Sequence, residues 1–151
     1  MLDGLDRRIL RFLQSDPAAP IVEVAERCQS QPATVARRLE RLKAQGILRG
    51  QYAVIDWAVL GYAVEVSLRF TLDKTNAKAF DEFLDAARKI RQVIEIQTFL
   101  GRVDVRLSVI SRDLADYREL YSNEILNLPH ILELEALMHV ATLKTVEALP
   151  L

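Results

Sequence analysis

The chain has little cysteine, histidine or glycine, and these shortages limit the kinds of metal, redox and phosphate-binding site that it can form. Its 151 residues include one cysteine, two histidines and five glycines. Cys28 has no second cysteine to pair with and falls at an inward helical position, so we expect it to be a small core residue. His130 and His139 are nine residues apart and lack nearby ligand partners. No metal site and no cofactor are therefore predicted.

Long apolar runs and a strong net charge are also missing. No run approaches the ~20 residues that a membrane-spanning helix needs, and the N-terminus lacks a charged-then-apolar signal pattern. We therefore expect a cytoplasmic protein without a membrane partner. The formal net charge of −1 argues against non-specific binding of polyanions by the whole chain. The sequence also lacks a glycine-rich phosphate loop and a nucleophile elbow, so no enzyme of those kinds is predicted.

What the sequence does contain, over residues 21–46, is a pattern typical of two short amphipathic helices joined by a tight turn. The inward positions are Ile21, Val24, Ala25 and Cys28 in the first helix, and Val35, Leu39 and Leu42 in the second. Pro32 suits the first turn of a helix, so the second helix is expected to begin near Gln31 or Ser30. Gly46 supplies its C-terminal stop. The second helix is basic, and the pair predicts a helix-turn-helix that binds double-stranded DNA.

A third amphipathic helix precedes this pair. Asp3 and Asp6 resemble an N-terminal capping pattern, and an apolar face follows them. Three helices and a short following strand predict a winged helix-turn-helix domain over residues 1–52. There, nine Lys and Arg outnumber six Asp and Glu, whereas residues 53–151 hold eleven against fifteen. The basic surplus is local, which favours phosphate contacts by the first domain.

The candidate DNA contacts lie on the face of the second helix that points away from the apolar stripe. The residues expected near base edges are Gln31, Ala33, Thr34, Arg37 and Arg41, and those expected to flank them toward phosphates are Arg38 and Lys43. One alternative stays open. Arg38 or Arg41 instead pairs with Glu40 or with the first helix, as surface charges often do.

After Gly46 the pattern changes from helical to extended. Residues 53–61 are expected to form a linker strand and a turn, and from residue 62 a second domain runs to residue 151. Apolar and polar residues alternate strictly over 64–72, which predicts a half-buried strand. A helix follows with Phe80, Phe83, Leu84 and Ala87 on its apolar face, and Thr75 or Asn76 is expected to cap it.

The remainder of this domain predicts a hairpin, a helix and a last strand. The hairpin strands are expected over 92–100 and 103–110, joined by a turn at Gly101 and Arg102. Asp113 is expected to open the helix, with Leu114 facing inward, and residues 131–143 supply a fourth strand. The fold class is therefore α+β. Its second domain is a ferredoxin-like β-α-β-β-α-β unit, an antiparallel sheet with both helices on one face.

The other face of that sheet is expected to be polar and of mixed charge. Its predicted members are Glu65, Ser67, Arg69, Asp104, Arg106 and Ser108. Two interpretations remain. The face contacts water, as one side of an antiparallel sheet can, or it pairs with a second copy, since a helix-turn-helix usually reads two half-sites as a dimer.

Several motifs together resemble the Lrp/AsnC family, the feast/famine transcription regulators of bacteria and archaea. They are LDRRILRFLQSD, RRLERLKAQGIL, GQYAVID and the glycine-x-x-aspartate turn from Gly101 to Asp104. The resemblance covers nearly the whole chain. It implies a regulator with an N-terminal DNA-binding domain and a C-terminal domain that forms homodimers through its sheet, with dimers often assembling into octamers. It also implies a small effector, commonly an amino acid, near Leu100, Gly101, Arg102, Val103 and Asp104.

Two segments depart from the family pattern. The turn before the recognition helix has Gln29, Ser30 and Gln31, so either Ser30 caps the helix one residue early or Gln31 is a weak cap. At the effector turn, Arg102 and Arg106 reverse the usual local charge. We therefore expect either an effector with an additional carboxylate, which arginine holds bidentately, or a loss of amino-acid sensing.

Two other functions stay open at this point. The same architecture resembles subunits of sirohaem decarboxylase. If this chain has that activity, its Arg102, Arg106 and His139 are the candidates for holding propionates and donating protons. The unusual turn at Gln29 to Gln31 also keeps open an effector-sensing module that does not bind DNA.

Overall fold

Helices fill the first third of the chain, and strands and helices alternate through the rest. The computed structural model describes residues 2–145 and 148–151. Residues 1, 146 and 147, which belong to the predicted domains, lie outside the described residues. Within these ranges the α-helices are α1 (Gly4–Ser15), α2 (Ile21–Arg27), α3 (Pro32–Ala44), α4 (Ala79–Ala87) and α5 (Leu114–Leu120), and a short π-helix, Tyr121–Ile125, continues α5. The strands are β1 (Val64–Leu72), β2 (Val93–Thr98), β3 (Val105–Ser111) and β4 (Ile131–Met138). None of the helices in the described ranges is long and apolar enough to cross a membrane.

Helix α1 begins with the capping pattern that the sequence predicted. The Asp6 N–H donates to the Asp3 carboxylate at 2.9 Å, and the Asp3 N–H donates to the Asp6 carboxylate at 3.0 Å. This reciprocal pair is a capping box, which satisfies two backbone donors that a helix N-terminus otherwise leaves free.

The first three helices share a small apolar core. Its buried members are Ile9, Val24, Ala25, Cys28 and Val35. Cys28 is therefore the core residue that we predicted, and burial raises the pKa of its thiol. The prediction for Ile21 is wrong, because this side chain is 42% exposed. It is the first residue of α2, and helical side chains lean toward the N-terminus, so it projects past the end of the core.

Helix α3 starts and stops where the sequence predicted. It begins at Pro32 and ends before Gly46, whose φ is +68°. The Gly46 N–H donates to the Lys43 carbonyl and the Ile47 N–H to the Leu42 carbonyl, both at 2.9 Å. This is a Schellman motif, which satisfies the last helical carbonyls and favours glycine at its left-handed position.

The predicted linker strand is not formed. Residues 49–56 are without regular secondary structure, and no neighbouring strand of the described chain pairs with them. A strand needs a partner to satisfy its backbone N–H and C=O groups, and the described residues offer none there. The turn that follows is present, with the Tyr62 N–H donating to the Trp57 carbonyl at 3.0 Å.

The described strands form one antiparallel sheet in the order β2-β3-β1-β4. Strand β1 pairs with β3 from Val64 opposite Ser111 to Phe70 opposite Val105, and with β4 on its other side. Helices α4 and α5 complete the order β-α-β-β-α-β. The predicted α+β class, a helix-turn-helix followed by a ferredoxin-like domain, is confirmed.

The core of this second part lies between the sheet and its helices. Its fully buried side chains include Val66, Leu68, Phe70, Phe83, Val105, Leu107, Val109 and Ile125. Phe80 and Leu114, both predicted to face inward, are 39% and 57% exposed because each lies in the first turn of its helix. The cap prediction for α4 is also wrong. Lys78 is the N-cap, and Asn76 accepts from the Lys78 N–H in the preceding turn.

The chain divides into two compact units. One comprises the described residues of Met1–Val54 and Thr142–Leu151, and the other is Ile55–Ala141. In this division the described residues of the tail, which the sequence analysis places in the second domain, group with the first unit. Arg11 Nε donates to the Leu151 carbonyl at 2.8 Å, and Gln14 Nε2 donates to the Leu149 carbonyl at 3.2 Å. Such long-range contacts are not visible in local sequence patterns.

Candidate nucleic-acid interface and ligand site

Helix α3 packs one side against its own unit and presents the other to solvent. Val35 and Leu42 are fully buried, as the sequence predicted. The predicted contact residues have the following exposure: Gln31, Ala33, Arg37, Arg41 and Lys43 are exposed, and Thr34 and Arg38 are half-buried. The first two turns of the helix therefore carry most of the accessible candidates.

A buried carboxylate of α1 binds two arginines of α3. Asp6 is 0% exposed. Its Oδ2 lies 2.5 Å from Arg41 Nη2, and its Oδ1 lies 3.2 Å from Arg38 Nη1. Arg38 also pairs with Asp3. A carboxylate shielded from water is tolerated only when it is paired and hydrogen-bonded, and the two guanidinium groups meet that need. The sequence analysis left open that Arg38 or Arg41 pairs with the first helix, and in the structure both arginines are paired with acids of α1.

The same network shifts two pKa values. Hydrogen bonds from the Asp6 N–H and from Arg38 lower the pKa of Asp3 from 3.8 to about 2. The Asp3 carboxylate accepts a hydrogen bond from Arg38 and raises the pKa of that guanidinium. Both shifts favour the charged forms, so the ion pair is present at neutral pH.

Arg37 differs from the other basic residues of α3. Lys43 Nζ lies 3.0 Å from Glu40 Oε1, and Arg38 and Arg41 are held by α1. Within the part of the chain that the structure describes, the Arg37 side chain makes no ion pair or hydrogen bond. It is therefore the guanidinium of this helix that can bind a guanine edge or a phosphate without losing a partner.

The turn before α3 resolves which residue caps the helix. Gln29 has a φ of +52°, and the Ser30 N–H donates to the Ala25 carbonyl at 2.9 Å. Gln31 is the N-cap, and its side chain makes no capping hydrogen bond. Of the two alternatives from the sequence, the weak cap by Gln31 is the one observed. Its amide remains at the exposed end of the helix.

Asp104 anchors the hairpin loop to β1. It is 6% exposed, its N–H donates to the Phe70 carbonyl at 2.8 Å, and its Oδ2 accepts from the Leu72 N–H at 2.9 Å. Lys74 Nζ lies 2.7 Å from its Oδ1. Burial raises the pKa of Asp104, but the Leu72 N–H and the Lys74 ammonium together hold it below the ordinary value. The prediction that Asp104 lies on the open sheet face is wrong, because these contacts turn it inward.

The rest of the hairpin tip is open. Leu100 is fully exposed, and a Cβ added at Gly101 would meet no atom within 4 Å. The Thr71 hydroxyl donates to the Arg102 carbonyl at 2.8 Å. A groove of about 410 Å³ adjoins the tip, lined by Arg69, Thr71, Arg102, Val103, Glu133, Leu134 and Glu135. The groove has side chains of both signs.

The open face of the sheet carries a row of paired charges. Arg69 and Arg106 are register partners on β1 and β3. Arg106 Nη2 lies 2.6 Å from Glu95 Oε2, and Arg69 Nη1 lies 3.5 Å from Glu135 Oε2. Each arginine therefore has an acidic partner on the strand beside it.

A second groove, of about 590 Å³, lies on this face. Its apolar lining is Trp57, Ile94, Leu137 and Met138, and its polar lining is Glu65, Ser67, Glu95, Arg106, Ser108 and His139. Arg102 lines the other groove. The three residues of the enzyme alternative thus do not share one groove.

Family models match two separate parts of the chain. Residues 2–43 match the AsnC-type helix-turn-helix domain, and residues 65–149 match the Lrp/AsnC ligand binding domain. The chain belongs to the Lrp/AsnC family. The resemblance inferred from its motifs is confirmed, and its function is that of an Lrp/AsnC transcription regulator with a DNA-binding helix-turn-helix domain and a ligand-binding domain.

Several proteins of known name or structure are similar along almost the whole chain. The proline dehydrogenase transcriptional activator of Rhodobacter capsulatus is 30% identical over 131 residues, which are 87% of this chain and 85% of that protein. The leucine-responsive regulatory protein of Escherichia coli (strain K12) is 30% identical over 130 residues, 86% and 79% of the two chains. A Neisseria meningitidis transcriptional regulator, solved as a complex with L-methionine, has a TM-score of 0.90 at 23% identity and covers 99% of this chain and 97% of its own. That likeness extends the Lrp/AsnC fold over both units.

Sequence reasoning missed two residues of this Lrp/AsnC chain that shape its sites. The sequence analysis leaves open a pairing of Arg38 or Arg41 with the first helix but does not name Asp6 as the partner. Lys74 was not singled out, because nothing in its local pattern marks a partner thirty residues away.

Proposed function

We propose that this Lrp/AsnC regulator reads its operator with the first two turns of α3. Gln31, Ala33, Thr34 and Arg37 supply the contacts to base edges, because the N-terminal residues of a recognition helix are those that reach the major groove. The proposal rests mainly on the observation that the Arg37 side chain is exposed and has no partner among the described residues.

The remaining basic residues have other positions in this proposal. Lys43, at the far end of α3, contributes a phosphate contact, since its ion pair with Glu40 is exposed and weak. Arg38 and Arg41, which the sequence analysis expects at the DNA, remain paired with Asp6 in this proposal.

Selection of genomic DNA tests the operator reading. The purified protein is incubated with fragmented DNA from its own genome at physiological salt, and the retained fragments are sequenced. We expect enrichment of a pseudo-palindromic site, because a two-fold symmetric protein contacts two half-sites. Retention without any enriched sequence would contradict sequence-specific reading.

We also propose that the groove beside the hairpin tip binds an effector of the amino-acid class. The Neisseria relative was solved with L-methionine, and a Cβ added at Gly101 in this hairpin tip would meet no atom within 4 Å, which leaves space for a ligand there. Arg102 and Glu133 line the same groove, and neither side chain has an ion pair among the described residues. A zwitterion fits them, with its carboxylate on Arg102 and its ammonium on Glu133.

The second arginine of this groove indicates the effector class. Arg69 also lines it, and its ion pair with Glu135 at 3.5 Å is exposed and weak, so an additional carboxylate of a ligand can compete for this second guanidinium. The effector proposed is therefore an acidic amino acid. The alternative is that the charge reversal at Arg102 has abolished amino-acid sensing.

Isothermal calorimetry across the twenty amino acids separates these outcomes. We expect the tightest binding from aspartate or glutamate, and its loss in Arg102→Gln. Arg112→Gln, an exposed arginine outside the groove, is the matched control and should bind like wild type. Tight binding of leucine, isoleucine or valine alone would contradict the acidic effector, and no heat with any amino acid would favour lost sensing.

Homodimerisation through the open sheet face is the third part of the proposal. Ile94, Leu137 and Met138 expose 42%, 36% and 50% of their surface there. Ser67 Oγ and Arg106 Nε, on the same face, are buried without a hydrogen-bond partner among the described residues. A second copy related by a two-fold axis would cover the apolar groups with the same patch.

Light scattering of variants tests the dimer. Leu137→Arg should reduce the mass toward that of one chain, because it places an unpaired charge in the proposed interface. Leu126→Arg, 52% exposed outside this groove, is the control. Octamers, which the family resemblance predicts, would appear in the wild-type measurement. An unchanged mass for Leu137→Arg would contradict the sheet-face dimer.

A further inference from the structure

We propose that Asp6 is a specificity-determining positioning residue of the DNA-binding unit. It pairs with Arg38 and Arg41, so these two cations do not contact DNA phosphates. The same ion pairs fix the orientation of α3 against α1, and with it the side chains that face the bases. The inference rests on the proposed function, since it assumes that α3 is the helix that contacts DNA.

Because the Asp6 carboxylate is buried, its ion pairs with Arg38 and Arg41 are costly to break. Asp6 is 0% exposed, and its side chain accepts from the Asp3 N–H at 3.0 Å besides both guanidinium groups. A phosphate that drew Arg38 or Arg41 away would leave a carboxylate partly unpaired and without water. Removing a partner from a buried ion pair is far more costly than breaking an exposed one. DNA therefore meets α3 with both arginines still on α1.

The two arginines contact α1 from one side of α3. They are three residues apart and so lie on the same helical face, and Arg38 bridges Asp3 and Asp6. Two guanidinium groups on one fixed carboxylate define the rotation of α3 about its axis. That rotation decides which side chains of the first two turns reach a base edge. Asp6 thus acts on readout through the arginines and does not touch the DNA.

Withholding cations favours specific over non-specific binding. Non-specific affinity for DNA comes from phosphate neutralisation by lysine and arginine, whatever the sequence. Arg38 and Arg41 are paired with acids of α1. Of the basic residues of α3, this leaves for phosphate contacts Arg37, which has no ion pair in the described chain, and Lys43, whose pair with Glu40 is exposed and weak. The unit therefore depends more on base contacts than its count of arginines indicates.

Asp6→Asn tests the proposal, because asparagine keeps the size and an acceptor oxygen but loses the charge. Binding to mixed-sequence duplex DNA is measured across a salt series. Each freed arginine that reaches a phosphate should steepen the slope of log affinity against log salt by about 0.9, so the variant should gain up to about 1.8. Its affinity ratio of operator to mixed-sequence DNA should fall.

Two controls separate this effect from a change of net charge. Glu26→Gln removes the same charge from an exposed acid of α2 and should leave the slope unchanged. The triple variant Asp6→Asn, Arg38→Gln, Arg41→Gln removes the freed cations, and its slope should return to the wild-type value. A slope of the triple variant that stays steep would overturn the proposal.

Arg41→Gln keeps the test decisive if Asp6→Asn does not fold, as judged by circular dichroism. This substitution leaves Arg38, which pairs with Asp6 in the wild type, in place. Because wild-type Arg41 is withheld from DNA, the slope should be unchanged, and a slope shallower by about 0.9 would overturn the proposal. The salt series needs no operator. Failure to find an operator therefore contradicts the proposed readout, whereas an unchanged slope in folded Asp6→Asn contradicts the role of Asp6.

Discussion

Lys74 places its ammonium group 2.7 Å from the carboxylate of Asp104, which also accepts from the Leu72 N–H. Asp104 lies in the loop where the family resemblance predicts an effector, but its carboxylate is already bound within the chain. Its contacts join the hairpin loop to the end of β1. A ligand at this loop must place its charges on other groups, of which Arg102 and Glu133 are available.

Asp104→Ala should destabilise the protein. The Leu72 N–H would be left buried without an acceptor, and we expect the free energy of unfolding to fall by ~1–3 kcal/mol. Urea titration measures the change. Glu119→Ala, an exposed acid of α5, is the control and should shift stability by less than ~0.5 kcal/mol. Equal effects of the two substitutions would show that the loop does not depend on this anchor.

Arg37→Ala should weaken operator binding. Loss of a bidentate contact to a guanine edge costs ~1–3 kcal/mol and relaxes specificity at that base pair. Titration of operator and mixed-sequence DNA by fluorescence anisotropy measures both effects. Arg118→Ala, an exposed arginine of α5, changes the net charge equally and should bind like wild type. Unaltered affinity of Arg37→Ala for the operator would exclude the proposed readout.

Gly46→Ala should destabilise the end of α3 through the backbone alone. Its φ is +68°, and a Cβ there would meet no atom within 4 Å, so the left-handed conformation is the only cost, about 1–2 kcal/mol. Gly101→Ala is the matched control, since it has equal space and no left-handed φ. Thermal unfolding should separate the two. Similar melting temperatures would argue against a strained position at Gly46.

Acid should weaken the capping box of α1. Because the pKa of Asp3 is lowered from 3.8 to about 2 in the folded protein, its stabilising contribution is fully present above about pH 4. It is lost as the pH falls through about 2, where the folded state also takes up the proton. Denaturant unfolding of wild type and Asp3→Asn should therefore differ at pH 5 and converge near pH 2. A difference that persists there would exclude Asp3 as the titrating group.

Local patterns predicted much of this protein because their physical cause is local. Strict alternation from Val64 to Leu72 predicted β1, since successive side chains of a strand point to opposite faces. Pro32 and Gly46 predicted the bounds of α3 through the dihedral angles that they favour. The first turns of helices were predicted less well. Ile21, Phe80 and Leu114 have apolar side chains but lie where a helix end leaves them uncovered.

The sequence by itself determined most of the element order and of the apolar faces, the family, and the basic helix for which DNA contacts are proposed. These follow from periodicity and from residue types at short spacing. Only the tertiary structure decided that Asp6 binds Arg38 and Arg41, and that Asp104 turns inward to Lys74. Both outcomes depend on burial. Once a carboxylate is removed from water it must find cationic partners, and which cations are near is set by how distant segments pack.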